Sequence, residues 1–232
     1  MENSSRDRIV RAAARLLAES GREAVTTRAV SRAAGVQAPT IYRQFGDMRG
    51  LLDAAASYGF ATYLHAQSNR EPAADPVDDL RHGWDLHVEF GLANPAFYTL
   101  MYGDPRPGLL PTAARVAGDI VRQLVIRVAE VGRLRVTVER AAGMLHAAAR
   151  GVTLSLIETP PADRDATLAV ATREAVLAAV CTDGTEGHAT AGAVRHAVAL
   201  RTALPTLGAE LSPAERALLG EWLDRLAGAR PA

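Results

Sequence analysis

A glycine and a proline four positions apart, Gly35 and Pro39, constrain the fold of this chain more than any other feature. They sit within residues 26–45, TTRAVSRAAGVQAPTIYRQF. Thr26 is positioned to cap a helix, its hydroxyl accepting an otherwise orphaned N–H of the opening turn. Ala29, Val30, Ala33 and Ala34 follow at helical spacing and predict a small-residue packing face. Gly35 then supplies the left-handed backbone of a sharp turn, and Val36 is expected to plug the core between two helices. Pro39 falls in the first turn of the second helix, where a missing N–H costs nothing. That helix presents Gln37, Ala38, Thr40, Tyr42, Arg43 and Gln44, and Thr27 and Arg28, which open the first, are expected to approach the DNA groove with Arg43. The pattern is a helix-turn-helix. Its second helix is expected in the major groove of double-stranded DNA, with Tyr42 and Thr40 on phosphates and Gln37, Ala38, Arg43 and Gln44 near base edges.

The flanking residues complete a three-helix unit. Ile9, Ala12, Ala13, Leu16 and Leu17 form one apolar stripe, with Ser4 or Ser5 as N-cap and Gly21 as terminator. After Gly46-Asp47 another helix begins, whose Leu51, Leu52 and Ala55 close the core. The ordered set Gly21, Ala24-Val25-Thr26, Ala34-Gly35-Val36, Thr40-Ile41-Tyr42, Phe45 and Leu51-Leu52 resembles the DNA-binding domain of the TetR family of bacterial repressors. The resemblance covers about the first quarter of the chain. It implies a DNA-binding domain over residues 1–52 and a helical ligand-binding and dimerisation domain over 53–232. One position departs from the family pattern: Met48 stands where a phosphate-contacting Lys is usual, and the adjacent Arg49 is the substitute candidate.

Charge is distributed to match. Net charge is zero, and all 26 basic residues are Arg. Residues 1–52 nevertheless hold nine Arg against five acids, and the remainder seventeen Arg against twenty-one acids. A head at +4 on a body at −4 confines attraction for DNA to one end. Cys181 is the single cysteine, so no disulfide forms within the chain and a reducing, cytoplasmic setting is expected. The polar N-terminus lacks the apolar core of a secretory signal, and no apolar run reaches the ~20 residues of a membrane span.

Breakers divide the remainder into helices over 48–68, 77–93, 96–102, 110–131, 136–157, 163–180, 193–204 and 214–226. The Val-rich spot at 134–138 is too short for a strand, so the expected class is all-α. Aromatic residues are only 5% of the chain, yet they cluster. Tyr63, Trp84, His87, Phe90, Tyr98, Met101 and Tyr102, with His146, are the expected walls and polar handles of a pocket for a small, mostly apolar molecule. The resemblance implies a homodimer built on the helices 136–157 and 163–180. Their expected faces are Ala141, Leu145, Ala148, Val152 and Leu156, and Leu168, Ala171, Ala175 and Ala179.

The expected function is a ligand-responsive transcriptional regulator, a repressor that binds palindromic operators as a dimer. Catalysis is not expected, since the chain has no G-x-S-x-G elbow, phosphate-binding glycine loop or H-E-x-x-H pattern. No cofactor or metal is expected either. Two alternatives stay open: a metal-responsive regulator using Cys181, Asp183, Glu186, His188 and His196, or a DNA-binding protein that needs no ligand.

Overall fold

The computed structural model describes residues 4–66, 71–182, 189–206 and 211–228. Eleven α-helices run through them and no strand does: α1 (Ser5–Ser20), α2 (Thr27–Ala34), α3 (Ala38–Phe45), α4 (Met48–Ala66), α5 (Pro76–Ala93), α6 (Pro95–Tyr102), α7 (Thr112–Glu130), α8 (Val138–Glu158), α9 (Leu168–Val180), α10 (Ala189–Ala203) and α11 (Pro213–Leu226). They form two compact units. The described residues of 1–71, 87–117 and 153–164 make up the first, and those of 72–86, 118–152 and 165–232 the second.

In the first unit, Ser4 caps α1 by accepting the Asp7 N–H at 3.2 Å. Ile9, Ala13 and Leu17 of α1 are fully buried, as are Val30 of α2 and Ile41 of α3, and Leu51 and Ala55 of α4. Burying such a side chain contributes about 1.5–3 kcal/mol for Leu or Ile, so this small core can hold three short helices together. Thr26 caps α2 by accepting the Ala29 N–H at 3.2 Å. Gly35 ends α2 at φ 63°, a left-handed turn in which any side chain would be strained. Two details differ from the sequence reading. Val36 is only half-buried and Ala33 is exposed, whereas Val25, in the turn after α1, is buried. Farther along, Asp53 of α4 accepts two hydrogen bonds at 2.8 Å from Thr112, one from its N–H and one from its hydroxyl, at the first residue of α7.

The second unit is tied by arginines. Arg81 meets Glu174 at 3.1 Å and Asp78 at 2.9 Å, and Arg173 pairs with both Glu174 and Asp85. The buried Asp79 accepts from Arg127 and from the Ala73 N–H, so its charge is compensated rather than orphaned. The Val-rich spot makes a single bridge, Leu134 to Cys181, held by Arg133 and Arg135 donating to the carbonyls of Thr182 and Cys181 at 2.9 and 2.7 Å.

Helix α9 starts at Leu168 rather than 163. Pro161–Asp163 forms a 3-10 turn, and the Asp165 carboxylate takes the Thr167 N–H and hydroxyl, a local bond that competes with helix. The faces expected for self-association differ in their exposure. Ala141, Leu145 and Val152 of α8 are buried within the chain, whereas Gly143, Met144, Ala147 and Gly151 face outward. On α9 the expected Leu168, Ala171, Ala175 and Ala179 are exposed.

Candidate functional site

Helix α3 is held from behind by α1. The Arg6 guanidinium lies 5.2 Å from the centre of the Phe45 ring, and Gln44 donates to the Ser5 hydroxyl at 2.7 Å. Arg8 reaches the Ala34 carbonyl at the end of α2, at 3.3 Å. These bonds leave the opposite side of α3 free. Gln37, Tyr42 and Arg43 are exposed there, Ala38 and Thr40 half-buried, and Ile41 is turned entirely inward. Gln44, expected at base edges, is instead half-buried and engaged with α1. Arg28 and Arg49 are exposed as well.

Tyr42 is 47% exposed, and its hydroxyl shares a 3.1 Å hydrogen bond with the hydroxyl of Thr27. Thr27 in turn donates to the Met48 sulfur at 3.3 Å. The departure at position 48 therefore has a local reason. A Lys there would offer the same hydroxyl only donors, whereas the thioether accepts. With its proton directed at Met48, Thr27 accepts from Tyr42, and that bond orients the ring. This three-residue relay was missed in the sequence, though the unusual Met48 marked the place.

The aromatic residues of the first unit are drawn together. Tyr98 is fully buried, and its ring lies 4.7 Å from Tyr102, 5.4 Å from His87 and 6.5 Å from Phe90 by centroid. Phe90 packs edge-on to Phe60 at 5.1 Å and against Tyr63 at 5.2 Å. Met101 is buried on the same short helix as Tyr98. Polar groups of the cluster are bonded to each other and to its rim: His87 Nε2 and the Tyr98 hydroxyl at 2.7 Å, and the Tyr63 hydroxyl donating to Glu89 at 3.4 Å. Burial, then the Glu89 charge, raises the Tyr63 phenol. The arrangement depends on Gly91, where an added Cβ would stand 2.2 Å from Thr153 Cγ2.

Trp84 and His146 belong to the second unit. Trp84 is buried with no acceptor for its indole N–H among the described residues. Burial, then the Arg150 charge, lowers the His146 pKa. A cleft of about 970 Å3 lies elsewhere in the first unit, and Arg49 alone of the expected residues lines it.

Of the metal-binding alternative, Cys181 is buried and its thiol is pushed up to about 11 by that burial. His196 is exposed on α10, while Asp183, Glu186 and His188 lie outside the described residues. Among the described residues no group of three or more His, Cys, Asp or Glu is gathered as metal ligands. No helix among them is long and apolar enough to cross a membrane.

The model of the family described as bacterial regulatory proteins, tetR family, matches residues 9–55. The head is a tetR-family domain. The match takes in α1 from Ile9 onward, α2, α3 and the first turns of α4. Beyond the tetR-family head, solved structures share the fold of most of the chain. A tetR-family transcription regulator from Shewanella sp. PV-4 aligns at 19% identity and TM-score 0.57, covering 77% of this chain and 99% of its own. A regulator from Vibrio parahaemolyticus aligns at 22% and 0.50, covering 77% and 99%, and one from Rhodococcus sp. Rha1 at 21% and 0.53, covering 76% and 98%. At such identities the likeness speaks for the helical fold. No curated protein matches the chain.

Proposed function

We propose that this protein is a one-component transcriptional repressor that binds a palindromic operator as a homodimer and is released by a small, mostly apolar molecule. The observation that carries the reading is the outward face of α3, where Tyr42 is half-exposed yet already oriented by Thr27. A tyrosine so prepared suits phosphate, and its exposed neighbours Gln37 and Arg43 suit base edges. One such head reads one half-site, so a palindrome requires two copies. The outward faces of α8 (Gly143, Ala147, Gly151) and α9 (Leu168, Ala171, Ala175) support that pairing. At Gly143 and Gly151 an added Cβ would meet nothing within 4 Å, so a partner helix could approach closely.

Coupling to an effector is supported by α4. Leu51 and Leu52 sit under the head, and Phe60 and Tyr63, farther along the same helix, join the aromatic cluster. Twelve residues separate Leu51 from Tyr63, about 18 Å at 1.5 Å per residue. A molecule that separates Tyr63, His87, Phe90, Tyr98, Met101 and Tyr102 would tilt the rod that carries the head. A coupling of about 1–3 kcal/mol would weaken operator binding several-fold to over a hundredfold.

Selection of sites from random duplex DNA by the full-length protein should return a palindrome. Tyr42→Phe should then weaken every site alike, by about 0.5–1.5 kcal/mol, with the salt dependence unchanged. Arg49→Gln should flatten the salt dependence by about one unit of log–log slope. Enrichment of no sequence, or equal salt slopes for all head variants, overturns the reading.

A further inference from the structure

The cleft of about 970 Å3 in the first unit lies beside the start of α4, α6 and the segment leading into α7. Leu52 and Leu100 line it, and Leu109 and Leu110, 61% and 60% exposed, form part of its wall. Side chains so apolar at a cleft mouth gain by burial against an apolar ligand. Three aspartates and three arginines also line it. Each aspartate is engaged: Asp47 accepts the Gly50 N–H at 2.8 Å, Asp53 caps α7 through Thr112, and Asp104 pairs with Arg106 at 2.6 Å. Arg22 and Arg49 are exposed and have no hydrogen-bonding or ionic partner among the described residues. The cleft thus combines an apolar wall with two uncommitted guanidiniums. Its volume falls within the range of about 300–1,000 Å3 usual for small-molecule sites.

The geometry points to a binding site for an amphipathic monocarboxylate, its chain against Leu52, Leu100, Leu109 and Leu110 and its carboxylate on Arg22 and Arg49. A guanidinium takes a carboxylate through two parallel, charge-assisted N–H bonds, roughly twice as strong as bonds to a neutral head group. This site is separate from the aromatic cluster. The regulatory consequence rests on the DNA-binding reading: an Arg49 held by a carboxylate is withdrawn from the DNA phosphates.

Calorimetric titration of the full-length protein with decanoate, 1-decanol and acetate tests the site without DNA. Decanoate should saturate one site per chain, at least tenfold more tightly than either of the others. The double variant Arg22→Gln/Arg49→Gln should weaken decanoate at least tenfold and leave 1-decanol unchanged, whereas Leu109→Asp should weaken both. Equal affinity for decanoate and 1-decanol, or decanoate binding indifferent to the two arginines, overturns the proposal. So does decanoate binding that is lost in Phe90→Leu but kept in the arginine variant. Operator release by decanoate, followed in parallel by fluorescence anisotropy, separates the two readings. Arginine-dependent decanoate binding by a protein that holds no DNA sustains the site and refutes the DNA-binding reading, and operator binding without decanoate binding does the reverse.

Discussion

Replacing Gly91 by Ala sets two effects of opposite sign against each other. In a helix interior the change is worth about 1 kcal/mol of stabilisation from backbone propensity. Against that, the new methyl would stand 2.2 Å from Thr153 Cγ2 and 2.9 Å from Tyr98 Cδ2. Carbon atoms pack comfortably at about 3.5–4.0 Å, so the first overlap exceeds 1 Å. Neither neighbour can swing aside, since Thr153 and Tyr98 are both fully buried and Tyr98 is flanked by His87 and Tyr102. Overpacking of this kind costs about 1–3 kcal/mol, and more than the propensity gain at this overlap. We expect a net loss of about 1–2 kcal/mol, a Tm lower by roughly 2–8 °C for a chain of this size.

Thermal and urea unfolding measure it, with Gly118→Ala of α7 as the control. There the added Cβ meets nothing within 4 Å, so Tm should rise by about 2–4 °C. Thr153→Ser deletes the obstructing methyl, and in a double-mutant cycle it should recover about 1 kcal/mol in the Gly91→Ala background. Gly91→Ala stabilising as much as Gly118→Ala, or Thr153→Ser costing the same in both backgrounds, would refute the close-packed reading of the cluster.

Ala171→Arg and Ala147→Arg should shift sedimentation from dimer toward monomer by placing unpaired charges on the proposed interface, while Leu145→Ala should cost about 2–5 kcal/mol of stability as an internal cavity. His146 should make stability decline as the pH falls below its ordinary 6.5, because the unfolded chain takes up that proton before the folded one does; His146→Gln should flatten this part of the pH profile of urea unfolding. Cys181, with its thiol near 11, should resist thiol reagents at pH 8 in the native protein and react at once in denaturant.

The sequence was most legible where local chemistry alone decides the backbone. Thr26, Gly35 and Pro39 set a cap, a left-handed turn and a helix start without help from distant residues, and the head follows them closely. It was least legible where two helical faces were equally plausible. On α8 both Ala141-Leu145-Val152 and Gly143-Ala147-Gly151 are apolar stripes at helical spacing, and only tertiary packing chooses which turns inward. The extra bulk of Leu and Val favours the first for burial, leaving the smaller residues outside. Gln44 illustrates the same limit. Its amide suits base edges and the Ser5 hydroxyl equally, and proximity to α1 decides.

The bond from Asp53 to Thr112 spans 59 residues of sequence, yet it does the work normally done by a residue next to the helix it caps. A helix stopper borrowed from so far away makes the first turn of α7 conditional on where α4 stands. A displacement of α4 by little more than an ångström would strip the Thr112 amide of its acceptor and let that turn fray. The fraying would register as faster hydrogen–deuterium exchange at residues 112–115, a gauge of α4 that needs neither DNA nor label.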